Sequence, residues 1–242
     1  MSHPNAEAQK ASGSLMEDLI NIFIKPSAVF EHQRNGSFAI PALIQTVLLA
    51  LLVFALGNLI TPFFDAEVAR GMAQAAKGGQ AMPEGAQATA EKFGRYFALA
   101  FVVISPWFTA LFGGLFGLIA TRIVGLKLSF GQTALVASWA SFPAVLGLIA
   151  MAVRGMMIDP STIRGATDGQ LGFGMFLDPN TASPALVALA QATDLFSLWS
   201  VVLAGIGFSV LARVTLGKGL TVSYIKFAIG LLLAVGSAVV RA

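Results

Sequence analysis

Residues able to do chemistry are scarce in this chain. It has no cysteine and only two histidines, His3 and His32, both ahead of the first long apolar run. Without cysteine there are no disulfides, thiol nucleophiles or thiolate metal sites, and two N-terminal histidines do not make up a metal-ligand set. No glycine-rich phosphate loop follows a strand, which argues against nucleotide hydrolysis. Proton or charge transfer would need an ionisable side chain deep in an apolar segment, and the nearest to one is Lys226. It is read as lying one turn or so inside the end of its segment, where a long stem snorkels back to water. Asp194 stands where another such segment begins and is read as a partner for the helix dipole, not as an acid catalyst. These residues point to a protein that is not an enzyme and that takes no cofactor and no metal.

The elements that would have to position them follow from composition. Of 242 residues, 56% are hydrophobic and 11% charged, and the mean hydropathy is +0.79. A water-soluble domain cannot hide that much apolar surface, and the apolar residues come in long uncharged runs, not in amphipathic stripes. The expected fold is all-α: a polytopic membrane bundle of five transmembrane helices with an N-terminal amphipathic interfacial helix. The net charge of +3 is carried by single basic residues at the ends of the runs. That is a mark of membrane topology, and no nucleic-acid partner is expected.

Residues 1–13 are small and polar and are expected to form a disordered tail. Residues 14–35 are read as a cytoplasmic amphipathic helix and linker, with Leu15, Met16, Leu19, Ile20 and Phe23 on one face and Glu17, Asp18 and Asn21 turned away. Ser14 would cap that helix and Lys25-Pro26 would stop or bend it. Residues 36–242 are read as the transmembrane domain, with spans near 38–60, 96–120, 128–153, 195–212 and 220–240. Thr61-Pro62 is expected to end the first span, and residues 65–92 to form a solvated loop with a short helix at 66–76 broken at Gly78-Gly79. In the long connection 156–194, Leu171, Phe173, Met175, Phe176 and Leu177 are expected to dip into the interface or cover the bundle end, and Ser183-Pro184 to open a short helix. No signal peptide is legible in residues 1–25, so the first span is expected to serve as its own insertion signal.

Within the spans, Pro106 and Pro143 interrupt the helical hydrogen-bond ladder. A static kink, its freed carbonyls satisfied by Ser105, Thr109, Ser138 or Ser141, is preferred to a transporter-like hinge or cavity. Gly113 and Gly117 form a small-xxx-small pair, which predicts close helix approach, within the chain in preference to a second subunit. Trp107 and Trp139 read as packing residues, Trp199 and Tyr96 as outer-interface residues and Tyr224 as an inner one. Orientation rests on Lys and Arg in short loops: Arg122 and Lys127 in one, Arg213 and Lys218 in another. Their crowding places these loops and the N-terminus in the cytoplasm and the C-terminus outside.

Three stretches carry a family resemblance: Phe23-Ile24-Lys25-Pro26-Ser27-Ala28-Val29-Phe30; Gly125-Leu126-Lys127-Leu128-Ser129-Phe130-Gly131-Gln132 leading to Ser141-Phe142-Pro143; and Leu195-Phe196-Ser197-Leu198-Trp199 running to Gly205-Ile206-Gly207. In order and span count they resemble the YIP domain family, the Ypt/Rab-GTPase-interacting membrane proteins, and its bacterial branch in particular. The resemblance implies a multi-pass protein of the bacterial inner membrane with a scaffolding or accessory role. As its most concrete form it implies an auxiliary subunit of an ABC exporter-type transport complex. The expected partners are thus the lipid bilayer, other membrane proteins and an ABC transporter, with a homo-oligomer left open. The family supplies no catalytic residues to carry over. Pro26 and Phe30 are singled out for entry into the membrane, Pro143 for the third span and Trp199 for the fourth. A small transporter or channel using Gln45, Asn58, Thr109 and Ser138, or a lipid-organising protein acting through residues 14–30, are the competing readings.

Overall fold

The computed structural model describes residues 15–77, 79, 83 and 85–240, which leaves the polar tail, His3, Ser14, Gly78 and Arg241 outside the described residues. The first helix, α1, covers residues 15–24. After it come α2 (Pro26–His32), α3 (Ala39–Lys77), α4 (Ala86–Ile123), α5 (Phe130–Ala140), α6 (Pro143–Met157), α7 (Pro184–Ala192), α8 (Leu195–Ala212) and α9 (Leu216–Val240). Three short 3₁₀ turns lie between α6 and α7. Among the described residues, five segments are long and apolar enough to cross a membrane: α3, α4, α5 with α6, α8 and α9. The chain is a multi-pass, all-α membrane bundle.

The first two spans overrun their expected limits. The 39 residues of α3 and 38 of α4 give helices of about 57 Å, far more than the roughly 30 Å of hydrocarbon. Pro62 sits inside α3 without ending it, and the expected loop 65–92 is helical over 65–77 and 86–92. The alanine content of these stretches favours helix more than their few glycines oppose it. The two projecting ends are tied by Arg95, whose Nε and Nη2 donate to the Asp65 carboxylate at 2.6 and 2.7 Å. Glu67 binds Arg70 on its own helix. It also accepts the Ala166 backbone N–H at 3.3 Å, which fastens the long outer connection to α3. There Arg154 Nε donates to the Asp168 carbonyl at 2.7 Å and Arg164 to the Asp168 carboxylate. The hydrogen bond to Asp168 holds the Arg164 guanidinium above its ordinary pKa.

The third span is two helices. Pro143 has no N–H to give, so α5 ends at Ala140 and α6 restarts with Pro143 in its first turn. In hydrocarbon a freed carbonyl needs another donor, and Gln45 of α3 supplies it: its Nε2 donates to the Ser138 carbonyl at 2.6 Å. Ser141 Oγ stands 2.9 Å from the same carbonyl and 3.0 Å from Gln45 Oε1. Pro106, by contrast, stays inside α4. The carbonyl it frees, that of Val102, accepts from Ser105 Oγ at 2.7 Å.

The break divides the core. Leu135, Val136, Trp139 and Phe142 pack with Phe30, Leu203, Phe208 and Val222. Val145, Leu148, Met151 and Ala152 of α6 pack with Leu49, Ile60 and Phe63 of α3. The N-terminal segment folds back on itself beside α8: Asp18 receives Gln33 Nε2 at 2.6 Å and His32 Nδ1 at 2.9 Å. Arg34 caps the end of α8 by donating to the Val210 and Leu211 carbonyls at 2.9 and 3.2 Å. Phe30 reaches Gly207, and Phe23 meets Trp199 edge-on with ring centroids 5.5 Å apart. These contacts follow α8 over twelve residues, about 18 Å. One expectation about this segment is corrected. Asp18 does not turn away from the bundle but is buried, at 4% exposure, because two donors satisfy its carboxylate. Met16, Ile20 and Ile24 instead point outward, each more than 60% exposed.

Helices α8 and α9 meet backbone to backbone. A Cβ on Gly219 would stand 2.2 Å from the Gly205 carbonyl oxygen, whereas one on Gly217 would meet nothing within 4 Å. Gly219→Ala is therefore expected to lower stability by about 1–3 kcal/mol. Gly217→Ala should leave it unchanged or raised by up to about 1 kcal/mol, both read by thermal unfolding in detergent. Gln45→Leu, which removes the donor at the break, should cost about 1–2 kcal/mol in the same assay. No loss would mean that Ser141 alone satisfies the Ser138 carbonyl.

Candidate intramembrane binding site

Among the described residues, Lys226 is the charged side chain set farthest into a span from its nearest charged neighbours on the helix. Because α9 begins at Leu216 and not near residue 220, Lys226 is ten residues into the helix, nearly three turns and about 15 Å from its start. Gly113, against which Lys226 packs, is likewise ten residues from the end of α4 at Ile123. Arg122 and Lys218, the charges nearest the loop ends of the two helices, stand nine and eight residues away, about 14 and 12 Å, which sets the pair inside the apolar parts of both helices. The lysine Cε and Nζ lie 3.4 and 3.7 Å from the place a Cβ on Gly113 would occupy. The stem thus ends at the level of Gly113 and is not carried back to the loop end. Lys226 is half-buried, and among the described residues no acceptor takes a hydrogen bond or ion pair from its Nζ.

Small residues make the room. The Gly113 Cβ position is 3.0 Å from Ala137 Cβ of α5 as well as against the lysine stem, so any larger residue there would displace one or the other. One position along α4, a Cβ on Gly114 would stand 2.9 Å from Ala134 Cα, and one turn on, Gly117 faces Phe208 of α8 and Thr133 of α5. Thr133 Oγ1 also donates across the contact to the Gly114 carbonyl at 2.7 Å. Gly113 and Gly117 therefore both serve contacts inside this chain. On α9, one turn beyond Lys226 and on the same face, Gly230 has nothing within 4 Å of its Cβ position. A charged group at depth thus sits next to an open notch in the helix surface.

The other residues singled out from sequence lie elsewhere. Pro26 opens α2 and Phe30 is fully buried against Gly207. Pro106 and Pro143 mark the kink and the break. Trp199 is engaged with Phe23, so its ring is taken up by an intramolecular contact. Trp139 is fully buried and stacked on Phe142 at 5.2 Å. Asp194 caps α8, accepting from the Phe196 and Ser197 backbone N–H groups at 2.9 and 3.3 Å. It also borders a cavity of about 330 Å³ beside the 156–194 connection, lined by Leu49, Ser105, Leu148, Gln170 and Ser197 among others. Gln45 is spent on the α5–α6 break through the Ser138 backbone carbonyl, and none of Gln45, Ser138, Asn58 and Thr109 lines this cavity. Among the described residues no cluster of three or more His, Asp or Glu is placed to hold a metal ion. Sequence reasoning missed the roles of Asp18 and Arg34. The signal for both was a charge just outside an apolar run whose partners are 14 or more residues away.

A profile of the Yip1 domain matches residues 20–237. No curated protein and no solved structure gives a match. The matched stretch takes in the inward half of α1, the broken third span and the Lys226 groove, and the chain belongs to the Yip1 domain family.

Proposed function

We propose that this protein is a non-enzymatic accessory or scaffold subunit of the bacterial inner membrane, which holds another membrane protein against the face formed by α4 and α9. The observation that carries this reading is Lys226: an unpaired ammonium near mid-membrane beside an open glycine. Such a group costs about 3 kcal/mol to insert. A bundle gains nothing in stability by keeping it, and a binding partner is what would repay it. The resemblance to bacterial relatives makes an ABC exporter-type complex the assembly we assign. The clustering of Arg34, Arg213 and Lys218 at the end of α8 and start of α9 supports a cytoplasmic N-terminus and an outside C-terminus. A transporter or channel reading is weaker, because Gln45, the largest polar side chain offered for a path, is used to satisfy helix backbone and none of the four lines the cavity between the spans.

The test is gentle extraction of the tagged full chain from its native membrane, in wild-type form and as Lys226→Met and Gly230→Leu. A membrane transport complex should accompany the wild type in stoichiometric amount and be lost from both variants. Lys226→Met should meanwhile unfold at a higher temperature than wild type, by an amount on the order of 2 kcal/mol. Recovery of the wild type alone, or only as a homo-oligomer, would move the reading to transport or lipid organisation.

A further inference from the structure

We infer that Lys226 receives the carboxylate of an acidic residue carried at mid-membrane depth by a transmembrane helix of a different protein. The inference rests on the docking face proposed above and names the chemistry of what docks there. An ammonium in hydrocarbon is compensated by an anion at the same depth. Lipid phosphates lie at the interface, at or beyond Arg122 and Lys218, about 12 Å or more from the level of Lys226 and Gly113. Among the described residues the chain places no anion at that level. Asp65 is tied to Arg95, Asp168 to Arg164, and Asp18 to Gln33 and His32, and Asp194 caps α8. Neither α5, α6, α8 nor α9 contains an acidic residue, and α3 and α4 carry theirs only in the projecting parts, at Asp65, Glu67 and Glu91. A second copy would therefore meet Lys226 with no carboxylate at that depth.

The surface beside Lys226 is shaped for a helix. Gly230 is open one turn away, so a partner backbone can approach α9 closely where the charge is, as small residues allow elsewhere in membranes. Leu233 continues the same face and is 57% exposed, which extends the strip by a further turn toward the outer end. The acid would be held by the lysine on one side and by helix contact along this strip on the other.

The experiment uses the full chain in bilayers of zwitterionic lipid with a labelled single-span apolar helix as probe, carrying Asp, Asn or Leu at its centre. Association is read by energy transfer. The Asp helix should bind wild type at least about tenfold more tightly than the Leu helix. That preference should vanish in Lys226→Met, and Lys226→Asp should bind a helix with a central Lys. Thermal unfolding of each variant verifies that it is folded. Equal binding of Asp and Leu helices, or an Asp preference that survives in Lys226→Met, would overturn the inference. So would a lysine-dependent signal that appears only when anionic lipid is added, which would assign Lys226 to lipid. If the Asp preference is absent while the native partner is still lost from Gly230→Leu, the docking face stands and the carboxylate falls. If the preference is present but no partner accompanies the native protein, the docking reading fails on its own.

Discussion

A helix that breaks within a membrane exposes carbonyl groups where no water can reach them, and in this bundle the side chain of Gln45 answers that need. Its bond to the Ser138 carbonyl joins α3 to the middle of the third span and makes the break at Ser141-Phe142 tolerable. Because the span can bend there, α5 and α6 are free to serve two different cores. The inner core then has room for Phe30 and the N-terminal hairpin, and the outer one for the close contact of α6 with α3, where a Cβ on Gly155 would stand 2.2 Å from the Leu59 carbonyl oxygen. Without a donor at Ser138 the third span would do better as one straight helix, and it would then face a single core.

Three prolines in similar apolar surroundings meet three fates, and the differences explain what could be read in advance. Pro106 has a serine just before it whose hydroxyl reaches the freed carbonyl, so α4 runs on. That outcome is local and was legible. Pro143 ends one helix and starts another. The interruption was legible, but its donor lies 93 residues away in Gln45 and no spacing rule connects the two. Pro62 looked like the end of a span, yet α3 continues for fifteen residues beyond it, since alanines and the Asp65–Arg95 tie to α4 make the helical continuation the better state.

The same division between local and distant causes holds for the candidate site. Five membrane-crossing segments, the Ser183 and Asp194 caps and the close approach at Gly113 follow from composition and short-range pattern. The burial of Asp18 does not, because it depends on Gln33 and His32 returning beside it after a turn at Lys25-Pro26. Lys226 was visible as a residue, but its seat against Gly113 of another helix was not. A lysine one turn from the surface keeps its ammonium in water by bending its stem, whereas one nearly three turns in cannot do so while its stem lies along Gly113.

That depth is what separates a stabilising anchor from an interaction site. The glycines of α4 and α9 are of two kinds: Gly114, Gly117 and Gly219 are pressed against neighbouring helices, and Gly217, Gly230 and Gly236 face open space. The first kind is accounted for by the fold of this chain alone. Of the second, Gly230 lies one turn from Lys226 on the same face, and intramolecular packing explains neither residue. A surface that gives up the helix-favouring alanine for glycine and keeps a cation that costs several times RT is under a constraint from outside the chain. The partner that relieves both costs at once is a closely packed helix bearing an acid, since a lipid tail fills the notch without neutralising the charge and a soluble anion does not reach it.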